Sequence, residues 1–478
     1  MSKNLLTLQE LAGQNLLRDE TLADAALKNL PRLFFPQLFK QAYQGIHVKA
    51  LRTIVSSWPF PRLPLGALKK TTYSETPWQV VLEEIDKLLI QEVHHREYKL
   101  EVLDLRSVGQ SCLDVWPGPM DDWLPKTASE NQGMPGQSTA GEKHPLKVVV
   151  NLYLKNTYRS KIFPYLTEWS DRRRGLLQLY CQELQIWSPC HYDYRRLSQM
   201  LSLEYVEIFG LHSSGKPAFL LKLAPYLGTM RNLRKLTLSC ITENTLISSE
   251  KRRRIVTKFA SQLCKLERLQ TLSLEDVCFL EGHLDWILGS VKTSLDGLTV
   301  THCKLSASEW HHLSEFPCVR QLQELSLENV RLTDLSPEPL RVLLVNAGPT
   351  LKVLDLEDCH MEDDHLYAIM SALRSCSKLT KFSFYGNEIS MPAMRDLLQN
   401  TASLRHLRME MYPVPQESYD YNNVPHMESM RQHCDELIDT LKAIREPVRV
   451  FFGTDRCDQC GNRYIYNKTN MCRCRRFY

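Results

Sequence analysis

The sequence predicts an α/β fold, a solenoid in which short strands and helices alternate along the chain. The main observation is a short apolar phrase, L-x-x-L-x-L or a close variant, that recurs seven times between residues 233 and 409. The phrases begin at Leu233, Leu269, Leu295, Leu322, Leu351, Leu379 and Leu404. Successive first residues are 36, 26, 27, 29, 28 and 25 positions apart, and this period is typical of leucine-rich repeats.

The ninth position of the phrase is the second observation. In leucine-rich repeats it carries Asn or Cys, whose side chain turns inward to satisfy backbone groups after the strand. Here it holds Cys303, Cys359 and Asn387, but other repeats have apolar residues, so we expect an irregular solenoid. Because a single unit cannot bury its own apolar face, the units must stack. We therefore expect a horseshoe with one concave, parallel sheet.

The N-terminal part of the chain predicts short helices. Apolar residues at three- and four-residue spacing, punctuated by prolines, occur throughout residues 1–95. These helices should cap the solenoid, since a terminal repeat otherwise exposes its core. The solenoid is expected over residues 96–411, with weaker phrases beginning at Leu100 and Leu203. Residues 117–145 are rich in Pro, Gly and Ser and lack periodicity, so they predict a flexible insertion.

The segment 412–478 is predicted to form a C-terminal cap with a cysteine-rich tail. Its end reads Cys457-x2-Cys460, eleven residues, and then Cys472-x-Cys474. Two close thiolate pairs can supply four ligands to a zinc ion, so the pattern allows a structural zinc site. Reduced cysteines in a small terminal hairpin are the alternative. No cofactor is expected to be required.

Composition limits the class of protein. Of 478 residues, 43% are hydrophobic and 24% charged, which is ordinary for a soluble globular protein. No apolar run approaches the roughly 20 residues of a membrane span, and the N-terminus does not resemble a signal peptide. Fifteen cysteines without such a signal favour reduced thiols, and hence the cytoplasm or the nucleus. A net charge of +4 does not predict direct binding of nucleic acid.

Solenoids of this kind are far more often binding surfaces than enzymes. The residues between the buried leucines of each strand should face the concave side and contact a protein partner. These candidate contacts are Lys235, Thr237, Thr271, Ser273, Glu324, Ser326, Val353, Asp355, Lys381 and Ser383.

The sequence does not predict an enzyme. The segment from Gly210 to Pro217 almost matches a nucleotide-binding P-loop, but Pro217 stands where the motif needs a hydroxyl. A loop between a repeat strand and its helix explains it better. No Ser/His/Asp arrangement and no paired carboxylates stand out.

One motif suggests an alternative function. Leu340, Leu343 and Leu344 match L-x-x-L-L, the helix that nuclear receptors capture in a groove. In a leucine-rich repeat the same leucines turn into the core, and buried packing is the preferred interpretation. The alternative is that the helix is accessible, and that the chain is a binding module that acts as a transcriptional co-repressor of nuclear receptors through these residues.

Near the N-terminus, Leu8, Ala12 and Leu16 follow Thr7 at the spacing of an elongin-C-binding helix. That motif prefers Cys where this chain has Ala12. On a helix these residues form one apolar stripe that can enter a hydrophobic groove. Leu30-Pro31 comes about fifteen residues later and resembles the Leu-Pro element of cullin-2 adaptors. The alternative is a helical cap in which Leu8, Leu11 and Leu16 pack against the solenoid.

Six segments that span nearly the full length of the chain, some of them outside the repeats, carry a resemblance to a known family. They are LQELAGQNLLRDETLADAALKNLPRLFFPQLFKQAY, SSWPFPRLPLGALKK, YKLEVLDLR, LTKFSFYGNEIS, EMYPVPQESYD and CDQCGNRYIY. On these segments the chain as a whole resembles the PRAME family of leucine-rich-repeat proteins.

The resemblance implies a substrate receptor of a cullin-2 RING ubiquitin ligase, docked through elongin B and elongin C. It also implies links to repression of retinoic-acid-receptor transcription and to control of differentiation, proliferation and apoptosis in the germ line. The docking role would fall to Leu8, Ala12 and Leu16 on the helix and to Leu30 and Pro31 at the cullin element. The thioester chemistry would belong to partner enzymes, while this protein holds its target nearby.

Overall fold

In the computed structural model the chain divides into two compact units. One comprises Met1–Leu184 and Arg195–Val206, and the other comprises Gln185–Tyr194 and Glu207–Tyr478. The structure describes residues 7–27, 29–68, 76–90, 99–106, 145–155, 162–187, 194–212, 217–241, 248–277, 280–421, 424–457 and 460–466. The insertion predicted at residues 117–145 therefore lies almost entirely outside the described residues.

The first unit begins with helices, as the apolar spacing predicts. They are α1 (Leu8–Arg18), α2 (Glu20–Leu27), α3 (Phe35–Gln44), α4 (Val48–Ser56), α5 (Thr76–Ile90), α6 (Ile162–Arg172) and α7 (Tyr194–Met200). Its strands are β1 (Arg62–Leu63), β2 (Val102–Asp104), β3 (Leu146–Leu154) and β4 (Leu177–Ile186). They lie in chain order, and β2 pairs in parallel with β1 and β3. The sheet thus begins inside the segment 1–95, which the sequence predicts to be helical throughout.

The core of the first unit surrounds Trp58, which has no exposed surface. Its ring meets Phe39 and Phe60 edge-on, with centroids 5.4 and 5.5 Å away. The indole N–H of Trp58 donates to the carbonyl oxygen of Arg62 at 2.9 Å. The Trp-Pro-Phe segment thereby ties α3 to β1, and α3 in turn supports α1.

The second unit repeats a strand followed by a helical segment. Its strands are β5 (Ile208–His212), β6 (Lys235–Ser239), β7 (Thr271–Glu275), β8 (Gly297–Thr301), β9 (Glu324–Ser326), β10 (Val353–Asp355), β11 (Lys381–Ser383), β12 (Met409–Pro413) and β13 (Val450–Gly453). Its helices are α8 (Leu220–Leu227), α9 (Ser249–Leu263), α10 (Leu284–Ser290), α11 (Ala307–Leu313), α12 (Glu338–Ala347), α13 (Asp363–Ser375), α14 (Met391–Thr401) and α15 (Met427–Ile444). Each strand pairs in parallel with the next one along the chain. This is the leucine-rich-repeat arrangement; the horseshoe curvature stays a prediction.

The apolar phrases occupy the register that the sequence predicts in most repeats. The fourth and sixth residues of the phrase pair across strands, as Leu236 and Leu238 do with Leu272 and Leu274, and all four are buried. Side chains alternate between the two faces of a strand. The residues between these leucines therefore lie on the opposite face, which we call the open face of the sheet.

Two phrases are shifted by three residues from the predicted register. In the phrase predicted at Leu203, the inward residues are Phe209 and Leu211, which pair with Leu236 and Leu238. In the phrase predicted at Leu404, the inward residues are Glu410 and Tyr412, both without exposed surface. The pattern failed there because a carboxylate stands where a leucine is expected.

A left-handed residue follows six of the repeat strands, β6 to β11, at the eighth position of the phrase. These residues are Cys240, Asp276, His302, Asn329, Asp358 and Gly386, with φ between 50° and 66°. The N–H of Cys240 donates to the carbonyl of Glu275 at 2.9 Å, and His302 donates to Glu328 at 2.9 Å in the same way. This turn extends the backbone ladder beyond the strands.

The inward role of the ninth position is confirmed. The side-chain amide of Asn387 donates to the carbonyls of Leu356 and Phe384, both at 2.8 Å, and its oxygen accepts from the N–H of Met361 at 3.0 Å. The thiol of Cys359 donates to the carbonyl of Leu327 at 3.1 Å. These bonds satisfy buried backbone groups that the turn leaves unpaired.

Among the helices of the described segments, none is both long enough and apolar enough to cross a membrane.

Candidate protein-binding surfaces

Helix α1 is a well-capped helix at the edge of the first unit. Thr7 is its N-cap: the Thr7 hydroxyl accepts from the N–H of Glu10 at 3.2 Å, while the Glu10 carboxylate accepts from the N–H of Thr7 at 2.8 Å. This capping box satisfies two N–H groups at the helix end. The predicted docking motif therefore starts at Leu8, because the side chain of Thr7 is used to cap the helix.

The opposite face of α1 is fixed to the rest of the first unit. Leu17 and Gly13 are buried, and the side-chain amide of Gln41 on α3 donates to the carbonyl of Glu10 at 3.0 Å. A Cβ atom on Gly13 would lie 2.1 Å from the Gln41 side-chain oxygen, so the two helices approach closely because residue 13 is glycine. The helix is thus held by one face only.

The other face of α1 carries the predicted docking residues. Leu8 is 86% exposed, Leu11 and Ala12 are exposed, and Leu16 is half-buried. A cap that packs these leucines away would bury Leu8 and Leu11, which is not observed. The stripe therefore offers a continuous apolar surface on a rigid helix.

The Leu-Pro element lies between α2 and α3. Leu30 is half-buried and Pro31 is exposed. The two residues that follow Arg32 add exposed apolar surface, since Leu33 is 73% exposed and Phe34 is exposed as well. The sequence prediction gives the docking role to Leu30 and Pro31 and does not include Leu33 and Phe34 from the same segment, because residue type alone does not show that they face solvent.

The second candidate surface is the open face of the second unit. The predicted contacts fall into two rows that the strand register brings side by side. In the observed register, the third positions of the phrases form one row: Lys235, Thr271, Gly297, Glu324, Val353, Lys381 and Met409. The fifth positions form the other: Thr237, Ser273, Thr299, Ser326, Asp355, Ser383 and Met411.

Nine of the ten predicted contacts are exposed or half-buried. The exception is Ser383, which has no exposed surface, so the prediction of an accessible contact at this position was wrong. Its hydroxyl donates to the carboxylate of Glu357 at 3.3 Å. The same carboxylate pairs with Arg456 and Arg463 near the C-terminus. A short side chain at the foot of larger neighbours is buried even on the open face.

Asp355 is held in an unfavourable setting on this face. Burial, and to a smaller degree the carboxylates of Glu357 and Glu328, raise the pKa of its carboxyl to about 6. The N–H of Glu357, which donates to Asp355 at 3.2 Å, and the charge of Lys381 act against this rise. The ionised carboxylate of Asp355 is therefore unfavourable for the fold.

We expect Asp355→Asn to stabilise the protein at neutral pH and to have no effect near pH 4. In the unfolded chain the carboxyl ionises near its ordinary pKa of 3.8, but in the folded chain only near 6. Its cost to the fold therefore grows as the pH rises through this interval and is complete above it. The interval corresponds to at most about 3 kcal/mol, and we expect about 2 kcal/mol for a half-buried group.

The measurement is urea unfolding of both proteins at the two pH values. Asparagine keeps the oxygen that accepts from Glu357, so the variant removes the charge and little else. An equal gain at both pH values would show that the charge of Asp355 is not the cause.

The C-terminal segment, residues 454–466, contacts the loops that follow β9 and β10. Arg456 contacts Glu328 and Glu357 at 2.7 Å and Asp358 at 2.8 Å. Arg463 contacts Glu357 at 3.1 Å and also pairs with Asp358. The three carboxylates are grouped closely enough to hold a metal ion, but each of them already pairs with a guanidinium group of Arg456 or Arg463.

The cysteine-rich tail is described only in its first half. The Gly461 N–H donates to the Cys457 carbonyl at 2.7 Å, and Gly461 has a φ of +68°. Cys457 is half-buried and Cys460 is exposed. Cys472 and Cys474 lie outside the described residues, so a zinc site stays a prediction.

The L-x-x-L-L leucines are packed inside the second unit. Leu340, Leu343 and Leu344 on α12 are each at most 1% exposed. This confirms the preferred interpretation, buried packing. A receptor groove could take this helix only after local unfolding.

Two family models together match nearly the whole chain. The PRAME N-terminal domain matches residues 6–113, and the PRAME C-terminal domain matches residues 146–475. The chain is 41% identical over 468 residues to PRAME family member 7 of Homo sapiens, which covers 98% of each chain. It is 42% identical over 448 residues to the preferentially expressed antigen in melanoma-like protein 1 of Mus musculus, covering 93% of this chain and 96% of that one.

Solved structures show more distant likenesses. The complex of Rad7 and Elc1 in yeast aligns with a TM-score of 0.35 and 14% identity, over 53% of this chain and 63% of that chain. An internalin from Listeria monocytogenes aligns with a TM-score of 0.29 and 18% identity, over 52% and 63%. At these scores the likenesses carry no argument about function.

Proposed function

The chain belongs to the PRAME family, and on that premise we propose that it is the substrate-recognition subunit of a cullin-2 RING ubiquitin ligase. In this function α1 binds the elongin B–elongin C pair, the Leu30-Pro31 element contacts cullin-2, and the open face of the second unit holds a protein target. The protein itself is not catalytic. It raises the local concentration of its target near the enzymes that transfer ubiquitin.

The observation that carries the proposal is the stripe on α1, in which Leu8 and Ala12 are exposed and Leu16 is half-buried. Leu8, Ala12 and Leu16 lie four residues apart and so share one face of the helix, while the opposite face is held by Gly13 and Leu17. A solvent-facing Leu8 that is 86% exposed gains nothing for the fold. An amphipathic helix fixed in this way can lay its apolar residues into a partner's groove without first having to order itself.

A ligase-independent binding module is the second candidate function. It requires only the open face, and the same exposed and half-buried residues support it. Its co-repressor form needs Leu340, Leu343 and Leu344 to leave the core of the second unit, and their burial disfavours it. We place either function in the cytoplasm or the nucleus.

We expect Leu8→Glu combined with Leu16→Glu to weaken binding of elongin B–elongin C by about 100-fold. Two carboxylates in the stripe would have to be desolvated in an apolar groove, which is strongly unfavourable. The measurement is a pull-down of the purified full chain with recombinant elongin B–elongin C, with and without cullin-2. The matched control is Leu22→Glu, since Leu22 is an exposed leucine on α2 outside the stripe.

The two candidate functions predict different results in this pull-down. If the folded wild type does not bind elongin B–elongin C, the ligase role fails and the chain acts as a plain interaction module. If Leu22→Glu weakens binding as much as the double variant, the stripe is not the dock. Because Ala12 is exposed, Ala12→Cys should fold normally and bind more tightly, restoring the residue that the docking motif prefers.

A further inference from the structure

The shifted register of the last phrase changes the chemistry of the open face. The sequence pattern assigns Met409 to the core, but Glu410 and Tyr412 are the inward residues of β12. Met409 and Met411 therefore lie on the open face, and both are half-buried. Met411 pairs with Phe451 on β13, which is half-buried as well.

This end of the open face differs from the rest. Along β6 to β9 the fifth positions carry small hydroxyl side chains, namely Thr237, Ser273, Thr299 and Ser326. At β12 and β13 the same row carries Met411 and Phe451. The row thus changes from small and polar to large and apolar within the second unit.

Two cations flank the apolar end. Lys381 pairs with Met409 from the β11 side. On the other side the carbonyl of Arg449 accepts from the N–H of Glu410 at 2.9 Å, which sets Arg449 opposite Met409. Two strand spacings separate the cations, about 10 Å. Neither one forms an ion pair with another residue of the described segments, although Asp355 is close enough to Lys381 to feel its charge.

We infer that Lys381, Met409, Met411, Arg449 and Phe451 form the principal target contact, and that they bind a peptide segment in which carboxylates flank a large apolar side chain. Methionine side chains are flexible and polarizable, so they adapt to a range of apolar partners. An apolar centre with a charged rim is the arrangement found at the energetic centre of protein interfaces. The two cations select the sign of the partner's charge. This inference rests on the proposed target-binding role of the open face and names its substrate class.

The test is selection from a displayed library of random dodecapeptides on the full chain, with counter-selection on a Lys381→Glu/Arg449→Glu variant. We expect the enriched peptides to carry Asp or Glu close to Leu, Phe, Met or Trp. A fluorescein-labelled peptide from this pool should bind the double variant at least about ten-fold more weakly, as measured by anisotropy. Met409→Ser/Met411→Ser should weaken it by a similar factor.

The matched control is Lys258→Glu/Lys304→Glu, which makes the same change in net charge with two exposed lysines of the second unit that lie outside the two rows of the open face. It should change peptide binding by less than two-fold. Basic or uncharged peptides, an empty selection, or equal sensitivity to the control variant would each overturn the inference. Elongin B–elongin C binding by the Lys381→Glu/Arg449→Glu variant separates the two proposals. If it persists while peptide selection fails, only the target class is wrong.

Discussion

Arg445→Ala is expected to destabilise the second unit by about 3–5 kcal/mol, because it leaves the buried carboxylate of Glu410 without its counter-charge. Glu410 has no exposed surface, and Arg445, at the end of α15, pairs with it. The hydroxyl of Tyr412 donates to the same carboxylate at 2.7 Å but carries no charge to replace the guanidinium. Urea unfolding at neutral pH, followed by circular dichroism, measures the loss.

Replacing both residues of the Glu410–Arg445 ion pair should restore the stability that Arg445→Ala loses. The fourth position of the phrase is leucine in most repeats, so Glu410→Leu/Arg445→Leu should recover most of the lost stability or exceed the wild type. Two atoms of the pair, Glu410 Oε1 and Arg445 Nε, have no hydrogen-bond partner among the residues that the structure describes, which makes replacement by apolar groups favourable. If the double variant is as unstable as Arg445→Ala, loss of the arginine's packing is the cause and loss of charge pairing is not.

Arg463→Ala is expected to release the C-terminal segment from the sheet and to cost about 3 kcal/mol. Its guanidinium is 6% exposed, pairs with Glu357 and Asp358, and lies 5.5 Å from the ring centre of Tyr385. It also donates to the carbonyl of Thr454 at 2.8 Å. Without it, the half-buried carboxylates of Glu357 and Asp358 would keep only the more exposed Arg456 as a counter-charge, and the segment would lose its buried anchor.

Hydrogen exchange measures this release directly. The N–H of Thr454 donates to Tyr464 at 3.0 Å and that of Tyr466 donates to Phe452 at 2.9 Å, so these amides should lose protection. Arg456→Ala is the matched control, since Arg456 contacts the same Glu357 and Asp358 but is 46% exposed. Exposed ion pairs contribute about 1 kcal/mol or less. Similar losses of protection in both variants would mean that burial does not distinguish the two arginines.

Much of the fold follows from local pattern. The period of the leucine phrase predicts one strand for each repeat, and a strand forms in all seven repeats, in the predicted register in six of them. Asn387 and Cys359 also take the inward positions that their place in the phrase implies. Such features are predictable because the alternation of side chains along a strand and the need to satisfy buried backbone groups act within a few residues.

The docking surface was partly predictable. The spacing of Leu8, Ala12 and Leu16 predicts one face of a helix, but spacing does not say whether that face points to the core or to solvent. Only the packing of Gly13 against Gln41 decides it, because the helix must turn its glycine toward its neighbour for the two to approach closely. The exposure of Leu33 and Phe34 depends in the same way on neighbours far along the chain.

By itself the sequence determined the repeating α/β architecture, the strand positions and the family, since these depend on periodicity and on motifs read along the chain. The tertiary structure decided the register of the last repeat, where Glu410 occupies a leucine position because Arg445 reaches it from α15. It also decided that Met409 and Met411 lie on the open face and that Ser383 is buried there. These outcomes depend on contacts between residues that are distant in the chain, and no local pattern records them.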